Sequence, residues 1–343
     1  GYYQDDQEGG IGVSLNQSPS LLFEGSLMVG VPGKVADRAR GLVGLDKDFK
    51  ALSPVKIMEM PVISDFDVVA HYTDAIPFNF DEIGVEIVQN SFAWNQEGHR
   101  NYFIHEFEII NRNGTMLDSL FVGLFADWDI GDANNIIASD MEKGFGYCYA
   151  PGGSYYVGIK ELTNWRFIHQ AMYNVAGGII NPNVNFSSAK KYRALSEFYG
   201  WAGWGEGQDV SHVVSSGPYN LAALDTLRVA FAIAAGNTFE ELSQTIDSAY
   251  VKYNGRNISG ISSSMGNNNR VEVKSYSSHF VVSVDQCTDC EMRLLNTLGQ
   301  LVSTKKFSSS FQINHNGFVK GVHVLQILNR QGELVGVEKI EFR

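Results

Sequence analysis

Apolar and polar residues alternate along most of the chain with the two-residue period of β-strands. The clearest run, residues 102–111, places Phe107 and Ile109 on one face and Glu106 and Glu108 on the other. Similar strand patterns occupy residues 21–31, 54–64, 66–75, 84–94, 120–125, 144–153, 155–162 and 224–236. Together they predict a mainly β fold built on a large antiparallel β-sandwich, in which two sheets pack their apolar faces together.

Two stretches have helical signatures instead. Residues 188–200 start at a serine that can cap a helix and end at Gly200, a common stop residue. Residues 239–253 follow Thr238, and the spacing of Thr238 to Glu241 fits a capping box. The large sandwich is therefore expected to carry one or two helices.

Domain organisation follows from a change of composition near the end of the helical pattern. Residues 254–270 consist mainly of Gly, Ser and Asn and predict a flexible linker. We therefore expect the large β-sandwich domain at residues 1–253. Residues 271–343 contain four short strand patterns, which indicate a small, separate Ig-like β-sandwich.

Charge and length exclude several classes of protein. With 26 Lys and Arg against 38 Asp and Glu, the net charge is −12, which argues against binding to nucleic acid or to an anionic membrane. No apolar run approaches the roughly 20 residues that span a bilayer, so no membrane span is expected. The first ten residues, GYYQDDQEGG, do not form a signal peptide, and we expect a mature form or part of a longer protein.

A dense group of oxygen-bearing side chains follows the apolar run Leu120–Phe125. We interpret this stretch as a loop at a strand end, where crowded carboxylates repel one another unless a cation or backbone N–H groups lie among them. Calcium is the predicted ion, although the spacing is not that of an EF-hand; the alternative is a solvated turn with Asx-type hydrogen bonds. The candidate ligands are Asp127, Asp129, Asp132, Asn134 and Asp140.

Candidate catalytic groups are sparse, and no catalytic residue is predicted. Glu106 and Glu108 have a spacing of about 7 Å that a glycosidase could use, but a solvated strand face is the favoured interpretation. The histidines show no metal-like spacing, and no serine lies in a nucleophile motif. An aromatic sugar-binding platform could be formed by Trp94, Trp165, Trp201 and Trp204 with Tyr155 and Tyr156. Trp201 and Trp204 in a Gly-rich loop are the best pair, although packing of the loop onto the sandwich is the commoner reason for such residues.

The three cysteines do not determine the compartment. Cys287 and Cys290 form a C-x-x-C pair that fits a hairpin disulfide, a redox pair or half a zinc site. Cys148, between two tyrosines, is expected to be a small buried apolar residue.

The last domain resembles a known family. Residues 294–302 (LLNTLGQLV), 321–327 (GVHVLQI) and 332–342 (GELVGVEKIEF) resemble the type A C-terminal sorting domain of the type IX secretion system of Bacteroidetes-type bacteria. His323 stands where the family usually has tyrosine, and Arg343 ends the chain. The resemblance implies an outer-membrane secretion translocon as partner. It also implies an extracellular or cell-surface location, often with proteolytic removal of this domain.

The first domain resembles an uncharacterised extracellular β-rich region that is sometimes found after subtilisin-like proteases. The similar pieces are residues 22–30, 117–132 and 216–236. That region supplies no catalytic residues to transfer.

The sequence therefore favours a secreted, non-catalytic β-sandwich module that is stabilised by calcium and exported by a type IX system. It could be the accessory part of a longer protein. A second hypothesis is a carbohydrate-binding or glycoside-hydrolase-like sandwich that contacts cell-surface polysaccharide through Trp201 and Trp204. A third is the non-catalytic tail of a subtilisin-like protease.

Overall fold

The computed structural model describes most of the chain. The described residues are 12–16, 18–41, 46–59, 61, 63–76, 81–163, 166–175, 178–260, 271–275, 279–284, 288–296, 301–314, 318, 320–330 and 334–342. They divide into two compact units, residues 1–251 and residues 252–343. None of the helices in this part of the chain is long and apolar enough to cross a membrane.

The first unit is built from strands β1 to β13 and a short helix, α1, and a longer helix, α2, begins in it. The strands are β1 (Leu22–Val31), β2 (Lys34–Asp37), β3 (Lys50–Ile57), β4 (Phe66–Thr73), β5 (Val85–Ala93), β6 (Tyr102–Asn111), β7 (Leu117–Trp128), β8 (Ile136–Asp140), β9 (Phe145–Tyr149), β10 (Tyr156–Glu161), β11 (Ile168–Tyr173), β12 (Val210–Leu221) and β13 (Thr226–Gly236). The helices are α1 (Ser188–Ser196) and α2 (Phe239–Gly260).

These strands form two antiparallel sheets. One has five strands in the order β11-β12-β7-β1-β2, and the other has eight in the order β3-β4-β5-β6-β13-β10-β9-β8. A single apolar core joins them, with Val122 and Leu124 of the first sheet in one cluster with Ile87, Phe107 and Val229 of the second. The predicted antiparallel β-sandwich is confirmed.

Strand β7 lies at the centre of the five-stranded sheet and is buried on both faces. Val122 and Leu124 belong to the core between the sheets. Phe121 and Phe125 point to the other face, where they pack with Leu195 of α1. Because both faces are covered, residues 120–128 are all buried, and the sequence shows an apolar run there instead of alternation.

Helix α1 lies close to the five-stranded sheet because glycine leaves room for it. A Cβ atom at Gly123 would lie 2.7 Å from a methyl carbon of Leu195 and 2.8 Å from the Cβ atom of Ser215. The helix begins after Ser187, as predicted, but ends at Ser196 and not at Gly200. Glu197 is already in an extended conformation, because the residues after it run along the sheet edges.

Helix α2 packs on the outer face of the eight-stranded sheet. Phe239 stacks on Phe145 with ring centroids 6.3 Å apart. Thr238 accepts a hydrogen bond from the Glu241 amide at 3.1 Å, as a capping box requires. The Glu241 carboxylate, however, accepts its backbone hydrogen bond from the N–H of Asn237, at 2.8 Å, where a capping box would use the N–H of Thr238.

The linker prediction needs a correction at its start. Helix α2 continues to Gly260, so residues 254–260 are helical and not part of a flexible tether. Residues 261–270, the rest of the predicted linker, lie outside the described part of the chain.

The second unit contains strands β14 to β20. They are β14 (Val271–Ser275), β15 (His279–Val284), β16 (Cys290–Asn296), β17 (Leu301–Phe307), β18 (Ser310–Asn314), β19 (Gly321–Leu328) and β20 (Leu334–Phe342). They form a sheet ordered β14-β15-β18 and a sheet ordered β17-β16-β19-β20. Phe280 and Ile313 of the first sheet share one core cluster with Leu294 and Leu325 of the second. The unit is thus a small β-sandwich.

The cysteines differ in their states. Cys290 is disulfide-bonded, whereas Cys287 lies outside the described residues. Cys148 is a free, buried thiol, in agreement with its predicted role as a small core residue.

Candidate binding site

The predicted calcium loop is arranged differently from the sequence interpretation. Asp127 is the penultimate residue of β7, not a loop residue, and it is buried. Arg40 donates to the Asp127 carboxylate and also from Nε to Glu24 at 2.6 Å. Asn174 donates to the other Asp127 oxygen at 3.1 Å. Burial raises the pKa of Asp127 to about 7, and the neighbouring Arg40 opposes that rise.

Three of the remaining predicted ligands, Asp129, Asp132 and Asn134, follow the end of this strand. Asp132 accepts a hydrogen bond from the amide of Asn134 at 2.6 Å, which is the Asx-type turn weighed as the alternative. The half-buried Asp129 has a raised pKa because of burial and the nearby charge of Asp209. Calcium binding by this set stays a prediction, and the Arg40 guanidinium already provides a counter-charge for Asp127.

Asp140 is separated from the other predicted ligands. It is the last residue of β8, whose first residue, Ile136, follows the loop. Four residues of strand correspond to about 13 Å. The Asp140 carboxylate accepts a hydrogen bond from the amide of Lys143 at 2.8 Å and so stabilises the next turn.

A different group of carboxylates comes together in the described part of the chain. Ligand oxygens of Asp37, Asp46 and Asp48 all lie within 4.8 Å of one another, which a metal ion could use. The ammonium group of Lys191 on α1 lies 2.7 Å from Oδ1 of Asp37 and 2.7 Å from Oδ2 of Asp46. Burial raises the pKa of Asp37 to about 7, and Lys191 opposes the rise. Lys191 therefore serves as an internal cation that ties α1 to β2.

The glycosidase-like carboxylate pair does not line a cleft. Glu106 is 6% exposed, so the solvated-face interpretation is wrong for this residue. Glu108 accepts a hydrogen bond from Arg228 of β13 at 2.6 Å. Strand β6 lies four positions from the sheet edge at β8, a distance of about 19 Å at the usual strand spacing.

Residues 197–208, here called the bridging segment, leave the end of α1 and follow the edges of both sheets. At the five-stranded sheet, the amide of Ala171 in β11 donates to Tyr199 O at 2.7 Å. At the eight-stranded sheet, Ala202 and Ile137 of β8 exchange two backbone hydrogen bonds of 2.8 and 3.0 Å. The segment therefore covers part of two strand edges that would otherwise expose unpaired backbone groups.

The bridging segment carries exposed aromatic side chains. Four rings, here called the aromatic strip, are 45–65% exposed. They are Phe198, Tyr199, Trp201 and Trp204. The favoured packing of Trp201 and Trp204 onto the sandwich is thus incomplete, since 45% and 65% of these side chains are exposed. Backbone hydrogen bonds and the buried side chain of Ala202 hold the loop.

The other aromatic residues that could have joined a platform do not extend the strip in this part of the molecule. Trp94 is 5% exposed and packs against Tyr102, with ring centroids 5.5 Å apart. Tyr156 stacks on Tyr149 at 5.1 Å on the eight-stranded sheet. Trp165 lies outside the described residues.

A groove of about 330 Å³ adjoins the strip. Its lining comes from β11, from the C-terminal half of α1 and from the residues after each. The lining side chains include Gln170, Tyr173, Ile179, Arg193, Glu197 and Tyr199. Sequence reasoning missed Phe198, Tyr199 and this groove; the Tyr-x-Trp alternation of residues 199–201 was the available signal.

A chain of hydrogen bonds that starts at the buried Trp128 ends at the backbone of the bridging segment. Trp128 Nε1 donates to Nε2 of His212 at 2.8 Å, and Nδ1 of His212 lies 2.9 Å from Nε2 of His169. Nδ1 of His169 lies 2.7 Å from Oγ of Ser139, which donates to Gly200 O at 2.8 Å. An indole N–H can only donate, so Nε2 of His212 must accept. Every contact in the chain is then a hydrogen bond when both histidines are neutral and carry their proton on Nδ1.

Comparisons with known proteins show only distant similarities. No protein-family model and no curated protein matches the chain. A bacterial glucoamylase complexed with acarbose is 14% identical at a TM-score of 0.44, with 70% of this chain and 33% of that one covered. A polysaccharide lyase is 10% identical at a TM-score of 0.29, with 92% of this chain and 39% of the lyase chain covered. The Slr1438 protein from Synechocystis sp. PCC 6803 is 9% identical at a TM-score of 0.34, with 65% of this chain and 82% of that protein covered. At these values the similarities carry no information about a ligand or an activity.

Replacing Lys191 by methionine tests its role as internal cation. Asp37 would lose its buried partner, so we expect the free energy of unfolding at pH 8 to fall by about 3–5 kcal/mol. The loss should shrink at pH 5, where Asp37 is protonated because its pKa is about 7. Urea unfolding measures both values. Lys190→Met, next to it on α1, should change stability by less than about 0.5 kcal/mol; equal effects of the two substitutions would contradict the role.

Acid should weaken the fold through the buried histidines. Burial lowers the pKa of His212 to about 3 and that of His169 well below its usual range. The unfolded chain, with a histidine pKa of about 6.5, binds more protons below that pH, so this contribution is complete above pH 6.5 and is lost as the pH falls towards 3.

The variant His212→Gln isolates this contribution. The carboxylates with raised pKa values are present in both the wild type and the variant, so their effect on the pH dependence of stability cancels in the comparison. Between pH 7 and pH 5 the wild type should lose about 2 kcal/mol more unfolding free energy than the variant. Urea titrations at both pH values give the difference. Parallel pH curves would show that His212 is not held neutral.

Proposed function

We propose that the chain is an extracellular, non-catalytic β-sandwich module whose aromatic strip binds polysaccharide. The observation that carries the proposal is the exposure of four rings on one segment that is fixed to both sheets. Exposed aromatic groups in such a patch are typical of a binding surface. Aromatic rings also present flat apolar faces, and Tyr and Trp add a polar group at the edge, which matches the mixed apolar and hydroxyl surface of a sugar ring.

The segment's backbone favours binding because it keeps the rings in place. Tyr199 and Ala202 are held by hydrogen bonds to β11 and β8. A binding surface that is ordered before the ligand arrives loses less conformational entropy on binding.

Charge favours an uncharged polymer. Residues 198–205, FYGWAGWG, carry no charged side chain, and the chain as a whole has a net charge of −12. A polyanion would be repelled at long range by this charge. A neutral polysaccharide would not be repelled.

The position of the carboxylates supports binding without hydrolysis. Glu106 is buried and Glu108 is paired with Arg228. Both glutamates lie on β6, about 19 Å from the β8 edge that the bridging segment covers. A glycosidase needs its two carboxyl groups on either side of the sugar bond.

Export is a second part of the proposal, and it depends on the resemblance of the C-terminal residues to a type IX sorting domain. The described parts of the similar pieces fall on β16, the start of β17, β19 and β20, which form one sheet. The proposed partner of this unit is the outer-membrane translocon, and the proposed location is the cell surface or the medium.

Removing the rings tests polysaccharide binding. The double variant Trp201→Ala, Trp204→Ala should bind about thirtyfold more weakly, since each ring contributes about 1 kcal/mol. Retention on insoluble cellulose, chitin, xylan and starch, together with the change in tryptophan fluorescence, measures binding. Met141→Ala is the matched control because Met141 and Trp204 are both 65% exposed. A wild type that none of these polymers retains, with unchanged fluorescence, would refute the proposal.

Removing residues 271–343, the predicted sorting domain, tests export and leaves helix α2 whole. In a bacterium that has a type IX system, the full chain behind an inner-membrane export leader should reach the surface or medium. The truncated chain should remain in the periplasm because it lacks the proposed sorting unit. Immunoblots of the cell fractions measure the distribution, and a strain without the translocon is the control. Equal secretion of both chains would exclude the sorting role.

A further inference from the structure

The groove beside the strip has the features of a small binding site. Its volume of about 330 Å³ lies at the lower end of the range for ligand pockets, which suits one or two sugar units. Tyr199 belongs to both the groove lining and the aromatic strip. A chain molecule that stacks on the strip can therefore continue into the groove.

The backbone of β11 contributes polar groups to the groove. The backbone N–H of Asn174 donates to the carbonyl of Asp209, just before β12. The backbone N–H of Ala171 points to the opposite side of β11 and donates to the carbonyl of Tyr199. The N–H and C=O groups of successive residues point to alternate sides of a strand. Those of Tyr173 therefore point away from β12, as those of Ala171 do. Tyr173 lines the groove, so its amide provides a fixed donor there.

The groove wall contains a planar pair of polar side chains. Arg193 donates from Nε and Nη2 to the two carboxylate oxygens of Glu197, at 2.8 Å each. The side chains are 47% and 49% exposed, so both keep further hydrogen-bonding capacity on the groove side. Guanidinium and carboxylate groups side by side offer donors and acceptors at the spacing of neighbouring hydroxyl groups.

We propose that the groove is a specificity subsite that binds one sugar unit of an uncharged polysaccharide through Arg193, Glu197 and the amide of Tyr173. The neighbouring sugar units then lie on Tyr199 and Trp201. The inference rests on the proposed function and adds the ligand class: neutral sugars are preferred over uronic acids. An anionic sugar would have to compete with Glu197 for Arg193 on a chain of net charge −12.

The test uses the full chain with the double variant Arg193→Gln, Glu197→Gln. Binding is measured by calorimetry with cello-, xylo-, chito- and malto-oligosaccharides of six units and with oligogalacturonate of the same length. The wild type should bind at least one neutral series and bind oligogalacturonate at least tenfold more weakly. The variant should lose about tenfold in affinity for that neutral series and keep the melting temperature of the wild type.

A matched control removes another exposed Arg–Glu pair. Arg228→Gln with Glu108→Gln breaks the pair between β13 and β6, far from the groove, and should leave affinity unchanged. If Arg193→Gln, Glu197→Gln also leaves affinity unchanged while the tryptophan variant loses it, the groove subsite is wrong and the proposed function stands.

Two other outcomes also decide the matter. Tighter binding of oligogalacturonate than of every neutral series would overturn the neutral class. Displacement of the oligosaccharide by an extended peptide that pairs with β11 would show that the groove is a peptide site instead. If the wild type binds no oligosaccharide or polysaccharide, the proposed function fails and this inference fails with it.

Discussion

Each sheet of the first unit has an edge strand whose outward backbone groups need partners, and the two edges are covered by the same stretch of chain. Tyr199 bonds to β11 and Ala202 bonds to β8, so the bridging segment joins the sheets where the core would otherwise be open. The position of the aromatic strip follows from this constraint. The backbone of the segment and the buried side chain of Ala202 hold it against the sandwich, while the rings of the strip stay 45–65% exposed.

Buried polar groups hold the same region in place. Arg40 lies between Glu24 and Asp127 at one end of β7, and Lys191 joins α1 to Asp37. In both cases a protein cation sits where a metal ion could otherwise balance the carboxylates. Burial makes an unpaired charge costly, so these pairs are needed for folding even though they add little net stability of their own.

Much of the fold was predictable from local pattern. Residues 102–111 and the helix after Thr238 have periods and caps that depend only on neighbouring residues, and both elements are present. Asp127 was placed in a loop, whereas it lies in β7 and pairs with Arg40, which is 87 residues away in the sequence. The partners Lys191 and Asp37 are 154 residues apart. No local pattern shows such a pairing, since the topology of the sheets creates it.

The candidate site shows the same limit. Trp201 and Trp204 stood out in the sequence as aromatics in a Gly-rich loop, but their exposure depends on which sheet edges are left open. The groove joins β11 to the end of α1, and its existence follows from the early end of that helix at Ser196. The extension of α2 through residues 254–260 was missed because Gly and Asn there weaken the helical pattern without ending it.

Within the bridging segment, the atoms that hold the fold differ from those that the proposed ligand would contact. The main chain of Tyr199 and Ala202 closes the sandwich, while the rings of Tyr199, Trp201 and Trp204 face outward. New side chains at the exposed positions would change the surface offered to a ligand and leave the backbone hydrogen bonds between the segment and the two sheets intact. This edge of the domain is therefore a natural place to graft a different specificity onto an unchanged scaffold.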